Sequence, residues 1–310
     1  MRFHDDKWID HFRAEGYAEA APLSSGMEGA VYRLGGGLVA KVWGDKSATS
    51  LGGLEQFYAD LARASLPFAT PEIVAVNKVG STAITIEREL PGRPLREFLS
   101  PSDSSAPTAA QACVMTLLEG LASVGEFRSA LDLPVLSETG PFRGEAGWAE
   151  SLVRLMSRRV AVFGGQLRAA VPNFDAVYAR LTASISALPP VDDRVIHGDI
   201  CPENILVDDD MIPLALLDWG FLSMAGDPAF EASVAAGIFN MYGPHALEID
   251  MSLTGRFASA LGHPIDRLLV YRAAYAVATS NAYDVNGQDG GFAWCAAFLN
   301  RSDVRAALAT

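Results

Sequence analysis

The chain has 310 residues, enough to bury a substantial core as one large domain or as two lobes that share a cleft. Its 24 Lys and Arg against 37 Asp and Glu give a formal net charge of −13, which argues against general nucleic-acid binding; it would suit a cationic partner, or serve solubility alone. Three widely separated cysteines and five histidines without His-x-His or His-Glu-x-x-His spacing give no disulfide framework and no zinc hydrolase. No apolar run approaches the roughly 20 residues that span a bilayer. The start, Met1-Arg2-Phe3-His4-Asp5-Asp6-Lys7, is too charged for a secretory signal, so the expectation is a soluble cytoplasmic protein without a membrane partner.

From Leu23 to Trp43 the pattern predicts a β-hairpin. Ala30 to Leu34 and Leu38 to Trp43 are strand runs joined by Gly35-Gly36-Gly37. Alternation places Lys41 on one face with Val39 and Trp43, and an ammonium among apolar neighbours needs an anionic partner. Leu54, Phe57, Tyr58 and Leu61 recur at helical spacing. A second hairpin is predicted from Ile73 to Ile86, and Glu87 to Pro94 breaks it.

Beyond that break the chain reads as mostly helical. Thr108 and Gln111 have capping-box spacing ahead of an apolar helix. Further helices are expected at about 147–163 and 174–188, after Asp227, and through 253–297. Asp227-Pro228 reads as an N-cap and first-turn pair.

The chemistry concentrates in His197-Gly198-Asp199-Ile200-Cys201-Pro202-Glu203-Asn204, followed by the apolar run 205–207, an Asp208-Asp209-Asp210 turn, and Leu214 to Asp218. Two short strands around a turn bring Asp218 back beside Asn204. With Asp199, three oxygen donors then converge. A His-Gly-Asp-x-x-x-x-Asn string arises by chance in about one chain in 500 of this length, at roughly 5% usage per residue type.

This segment resembles the catalytic loop and metal-binding Asp of the aminoglycoside phosphotransferase and choline kinase superfamily, relatives of the protein kinases. The likeness extends to Leu23 to Gly29, the strand with Lys41, Leu90-Pro91-Gly92 and Gly226-Asp227-Pro228. It implies an α+β, bilobal protein-kinase-like fold, with a small antiparallel-sheet lobe over residues 1–90 and a larger helical lobe over 91–310. It also implies Mg²⁺, with ATP or GTP as co-substrate, and a small-molecule hydroxyl as acceptor.

By that resemblance Asp199 takes or orients the proton of the acceptor hydroxyl, Asn204 and Asp218 hold Mg²⁺, and Lys41 pairs with the nucleotide phosphates. Glu55 is the expected helix carboxylate beside Lys41. Ser25, Gly26 and Gly29 would cover the phosphates, although the loop departs from Gly-x-Gly-x-x-Gly. Glu87 and Glu89, where the strand gives way to the hinge, complete the nucleotide-side candidates. His197 is read as structural and Cys201 and Glu203 as scaffold. Glu231, Asp284 and Asp289 are candidate contacts to a cationic acceptor, or ordinary polar residues of loops.

The acceptor implied is an antibiotic, as in resistance enzymes. The same motifs fit a kinase of an amino alcohol, homoserine or a sugar. A non-catalytic regulatory module is disfavoured by the intact Lys41, Asp199, Asn204 and Asp218, and a protein kinase by the missing His-Arg-Asp and Ala-Pro-Glu strings. A monomer or homodimer is expected.

Overall fold

The computed structural model describes residues 6–26, 28–44, 46–136, 138 and 140–309. Helix α1 (Asp6–Ala14) precedes an antiparallel sheet of β1 (Ala21–Ser25), β2 (Gly29–Gly35), β3 (Leu38–Trp43), β4 (Ile73–Val79) and β5 (Thr82–Arg88), in the order β1-β2-β3-β5-β4, with α2 (Ala48–Arg63) between β3 and β4. Both predicted hairpins are present; β3 coincides with its predicted run, and β2, β4 and β5 extend past theirs. Helix α1 and strand β1 are additions: nine and five residues are too short for periodicity to declare them.

Alternation sorts the two faces of this sheet. Tyr32, Ala40, Val42, Ile84 and Ile86 pack against Trp8 and Phe12 of α1. Trp43 and Ala83 face the other way, where Leu54 and Phe57 of α2 join them to the main core. Lys41 lies in register with Thr85 on this second face. The sheet's polar interior side is therefore the one turned toward the rest of the protein.

The chain then forms β6 (Arg93–Pro94), a 3₁₀ turn at Leu95–Phe98, α3 (Thr108–Ala122), α4 (Arg128–Asp132), α5 (Trp148–Ala170) and α6 (Phe174–Ala187). Short strands β7 (Arg194–Ile196), β8 (Ile205–Val207), β9 (Pro213–Leu216) and β10 (Met224–Gly226) follow, then α7 (Pro228–Ile238), α8 (Ala246–Leu261), α9 (Ile265–Thr279), α10 (Gly290–Asn300) and α11 (Ser302–Ala307). Helix α9 is buried from Leu268 to Thr279 and contacts α5, α6, α7, α8, α10 and α11, so it is the axis of the helical part. The antiparallel sheet followed by helices is the expected α+β, kinase-like architecture.

Two local expectations are settled by hydrogen bonds. Asp227 does cap α7, accepting from Ala229 N at 2.9 Å. The capping box at Thr108 does not form: Thr108 is already helical, Pro107 precedes it without a side-chain cap, and Gln111 Nε2 donates to Ala106 O at 2.7 Å.

Backbone bonds tie the sheet region to the β8–β9 hairpin. Ala69 N donates to Leu214 O at 2.8 Å and Leu216 N to Ala69 O at 3.0 Å. The chain entering β4 is thus stitched to β9, immediately before Asp218.

Candidate active site

The hairpin β8–β9 pairs Ile205 with Leu216, and Leu217 N donates to Asn204 O at 2.8 Å. Asn204 and Asp218 therefore flank one end of the same ribbon. Asn204 Nδ2 reaches Asp199 Oδ2 at 3.1 Å and Asp199 O at 3.0 Å, which fixes the turn and orients the Asp199 carboxylate.

The loop carrying Asp199 is held from behind. His197 is fully buried; its Nδ1 accepts from Asp199 N at 3.1 Å, and its Nε2 lies 2.7 Å from Leu217 O. With Nδ1 accepting, Nε2 must carry the proton, so the ring is neutral and bridges the two halves of the site. Burial pushes the imidazole down to about 4, against the pull of the Leu217 carbonyl. The ring also meets Trp219 edge-on, with centroids 4.5 Å apart.

Glu231 of α7 is the second anchor. Its carboxylate accepts from the backbone N–H groups of both His197 and Gly198, and burial pushes it up to about 7 although those bonds favour the anion. Glu231 thus supports the loop rather than reaching an acceptor. Gly198 has φ +77°, and a Cβ there would lie 2.5 Å from Leu222 Cβ and 2.7 Å from Leu222 O. The Gly of the motif is required by this packing.

Lys41 makes two ion pairs, to Asp218 Oδ1 at 2.8 Å and to Glu28 Oε2 at 2.9 Å, and stands over the Trp43 ring at 4.1 Å. Burial works against its charge, but Asp218, Glu28 and Glu87 outweigh burial and raise its pKa above the ordinary lysine value. In return Lys41 holds the Asp218 carboxylate below its usual range. Asp218 has φ +55°, a conformation that costs a non-glycine residue about 1–3 kcal/mol and clusters at functional sites.

The expected helix carboxylate is a correction. Glu55 is exposed on α2, and the carboxylate beside Lys41 is Glu28, which also binds Lys46 Nζ at 3.0 Å through its other oxygen. Burial raises the Glu28 carboxyl, but Lys41 and Lys46 prevail and lower it. Sequence spacing favoured the helix because α2 follows the lysine strand directly. Glu28, beside the turn into β2, gave no periodic signal. Lys46, stacked on Trp43 at 4.5 Å, was missed for the same reason.

Two cavities open at this segment. The smaller, about 320 Å³, is lined by Lys41, Asp218, Glu87, Glu89, Leu90 and residues of β1 to β3. Glu87 is buried and accepts from Thr85 Oγ1; burial raises its pKa and Lys41 opposes the rise. Glu89 pairs with Arg33 at 2.7 Å.

Of the expected phosphate-covering residues, Ser25 and Gly26 are exposed. Leu23 and Ser24 line the cavity instead. Gly29 is buried inside the sheet, where a Cβ would stand 2.0 Å from Val42 O, so its role is strand packing. Met27, in the middle of that loop, lies outside the described residues, as do Met1 to Asp5 and Thr310 at the ends of the expected lobes.

The larger cavity, about 620 Å³, has Asp199 in its wall. Of the candidate acidic contacts only Asp289 reaches it. Asp284 folds onto its own loop, accepting from Asn286 N at 3.0 Å and Gln288 N at 2.9 Å, and these bonds lower its pKa.

The donor set suits Mg²⁺. Asn204 Oδ1 and Asp218 Oδ2 have no hydrogen-bond partner among the described residues. A carboxylate and an amide oxygen are the hard ligands this ion takes while keeping waters and phosphates in its other positions. Among the described residues no group of three or more His, Cys, Asp or Glu could hold a metal, so such an ion would depend on the bound phosphates.

Residues 19–264 match the Phosphotransferase enzyme family. The chain belongs to that family. A viomycin phosphotransferase of Streptomyces vinaceus is 30% identical to it over 218 residues, covering 67% of this chain and 69% of the relative. Among solved structures, the aminoglycoside phosphotransferase APH(3'')-Id of Streptomyces rimosus, in complex with ADP and streptomycin, aligns over 88% of this chain and 98% of its own, with TM-score 0.54 and 20% identity. The macrolide 2'-phosphotransferase MphH of Brachybacterium faecium aligns over 96% and 98%, with TM-score 0.58 and 17% identity. The GDP complex of aminoglycoside 2'-phosphotransferase-IIIa aligns over 97% and 98%, with TM-score 0.58 and 14% identity. At these identities the structures establish the fold that family membership implies.

Proposed function

We propose that this protein transfers the γ-phosphoryl group of a nucleoside triphosphate to a hydroxyl of a small-molecule antibiotic. The observation that carries the reading is the division of the site: Lys41 and Asp218 line one cavity, Asp199 lines the other, and Asn204 joins the two sides of the segment. Donor and acceptor could thus approach one short loop from two directions. The family and the viomycin phosphotransferase relative favour an antibiotic acceptor over a metabolite. The nucleotide complexes of the related structures, one with ADP and one with GDP, support a nucleotide donor of either base.

Lys41, which already carries two carboxylates, would exchange them for phosphate oxygens. Asn204 and Asp218 would hold Mg²⁺, which would neutralise phosphate charge and offset that of Asp218. The acceptor oxygen forms its bond to the γ-phosphorus as the bond to the β,γ-bridging oxygen breaks, and its proton passes to Asp199. In the free protein burial and Asp218 push the Asp199 carboxyl up to about 8, against the Asn204 hydrogen bond. A Mg²⁺ ion held by Asn204 and Asp218 would offset the Asp218 charge and draw that value down, toward the carboxylate that a proton acceptor must be. Glu231 and His197 hold the loop in place. The setting we assign is the cytoplasm, where nucleoside triphosphates are available.

The test is incubation of purified protein with ATP or GTP, Mg²⁺ and a panel of hydroxylated antibiotics and amino alcohols, read by mass spectrometry. A phosphorylated antibiotic is the expected product. Phosphorylation of an amino alcohol alone would move the protein to the metabolite kinases, and Mg²⁺-dependent nucleotide binding without any product would favour a regulatory module.

A further inference from the structure

The larger cavity carries little charge for a protein with a net charge of −13. Besides Asp199, the ionisable carboxylates in its wall are Glu203 and Asp289, and Arg96 is the cation. Arg96 Nε binds Glu203 Oε1 at 2.8 Å, and the same guanidinium donates to Phe239 O at 3.0 Å, so Glu203 is already neutralised. Asp289 caps α10, its Oδ1 accepting from Phe292 N at 2.8 Å. Glu203 Oε2 and Asp289 Oδ2 are left without a hydrogen-bond partner among the described residues, and of these two residues Asp289 is the one with no cation beside it. The two other acidic candidates from the sequence are spent elsewhere, Asp284 on its own loop and Glu231 on the loop that carries Asp199.

The remaining wall is aromatic and apolar. Tyr283 stacks on Phe221, with centroids 5.7 Å apart and planes 12° from parallel. Tyr242, 67% exposed, lies against Gly290, where a Cβ would meet its ring carbon at 3.0 Å. Ile238, Met241 and the buried Tyr275 extend it, and the uncharged side chains of Asn240 and Thr279 add polarity without charge. Desolvating several ammonium groups against such a wall is costly without one counter-charge for each. Covering Tyr242 and Tyr283 with apolar surface is favourable. The volume suits a drug-sized ligand.

We infer that the acceptor is a hydroxylated compound with an extended apolar or aromatic face and at most one ammonium group, rather than a polycation. The inference rests on the phosphotransferase reading and selects the substrate within it. Tyr242 and Tyr283 hold the face of the acceptor, Asp289 takes its single ammonium group, and the hydroxyl points to Asp199.

The test compares two acceptor arms under saturating nucleotide and Mg²⁺. One contains hydroxylated macrolides and aryl compounds with one amine; the other contains kanamycin, streptomycin and viomycin, which carry several basic groups. The first arm is expected to give a KM at least about tenfold lower, nearly unchanged between roughly 50 and 500 mM salt because little of the recognition is ionic. Tyr242→Ala and Tyr283→Ala should each raise the acceptor KM about tenfold with the nucleotide KM unmoved. Asp289→Asn should raise it only for acceptors that carry an amine.

Preferred turnover of the polycationic arm, with a KM that climbs steeply with salt and ignores Tyr242→Ala, overturns the inference and leaves the phosphotransferase reading standing. Absence of product in both arms, with or without nucleotide binding, removes the phosphotransferase reading and the inference with it.

Discussion

Lys41 Nζ lies 2.8 Å from Asp218 Oδ1, although 177 positions separate the two residues in the chain. The pair joins the antiparallel sheet to the β8–β9 hairpin across the smaller cavity. On the proposed reading it also sets the competition that a nucleotide would meet, since phosphate oxygens would have to replace carboxylates on Lys41. Lys41→Met should therefore lower kcat/KM for the nucleotide by about 100-fold or more, the scale expected for removing one charged stabiliser of the transition state. Steady-state kinetics at fixed acceptor checks this, and a change below threefold would remove Lys41 from the reaction.

Glu28 and Glu55 should separate cleanly. Glu28→Ala leaves Lys46 without its carboxylate and Lys41 with one fewer, and should cost about 1–2 kcal/mol of stability in the absence of nucleotide. Glu55→Ala, on the exposed face of α2, should stay within about 0.5 kcal/mol. Denaturant melts of the two variants decide between the carboxylates, and equal effects would contradict the assignment to Glu28.

Asp199→Asn keeps the shape of the loop and removes the proton acceptor. Turnover should fall by about 10²–10⁴ while nucleotide affinity is retained. Product formation measured together with calorimetric nucleotide binding separates the two effects; a variant that turns over normally would displace Asp199 from the chemistry.

Glu231→Ala would orphan the buried N–H groups of His197 and Gly198, at about 1–3 kcal/mol each. Hydrogen exchange at those two amides should accelerate, and turnover should drop without any change in which acceptor is preferred. A change of acceptor preference with slow exchange retained would mean that Glu231 contacts the substrate.

His197 gives a stability prediction with a definite sign. Burial lowers its folded-state pKa from 6.5 to about 4, so as pH falls the unfolded chain takes up the proton first. The stabilisation is present above 6.5 and is lost through the window down to about 4, by an amount on the order of 3 kcal/mol. Glu231, raised from 4.5 to about 7, acts in the opposite sense, losing stability as pH rises across its own window. The difference between wild type and His197→Gln, followed by denaturant unfolding against pH, isolates the histidine. That difference should shrink as pH falls from 6.5 to 4, and a flat difference would mean that the ring is already charged in the folded state.

Local pattern along the chain is enough to give the class of the protein and the core of the site. Period-two alternation marked Leu38 to Trp43 and put Lys41 on the face opposite Ala40 and Val42. The spacing from His197 to Asn204 and the return to Asp218 are properties of one short hairpin. Such features are local, decided by residues within a few positions of one another. The tertiary structure decided what long-range contact decides: that Glu28 rather than Glu55 meets Lys41, that Glu231 holds the loop from α7, and that Gly29 serves strand packing. It also decided that Asp289 reaches the larger cavity while Asp284 does not. A carboxylate reads the same in a sequence whether it faces water, a lysine or two backbone amides. Only the packing of the surrounding elements fixes its partner, and with it the charge it can offer a ligand.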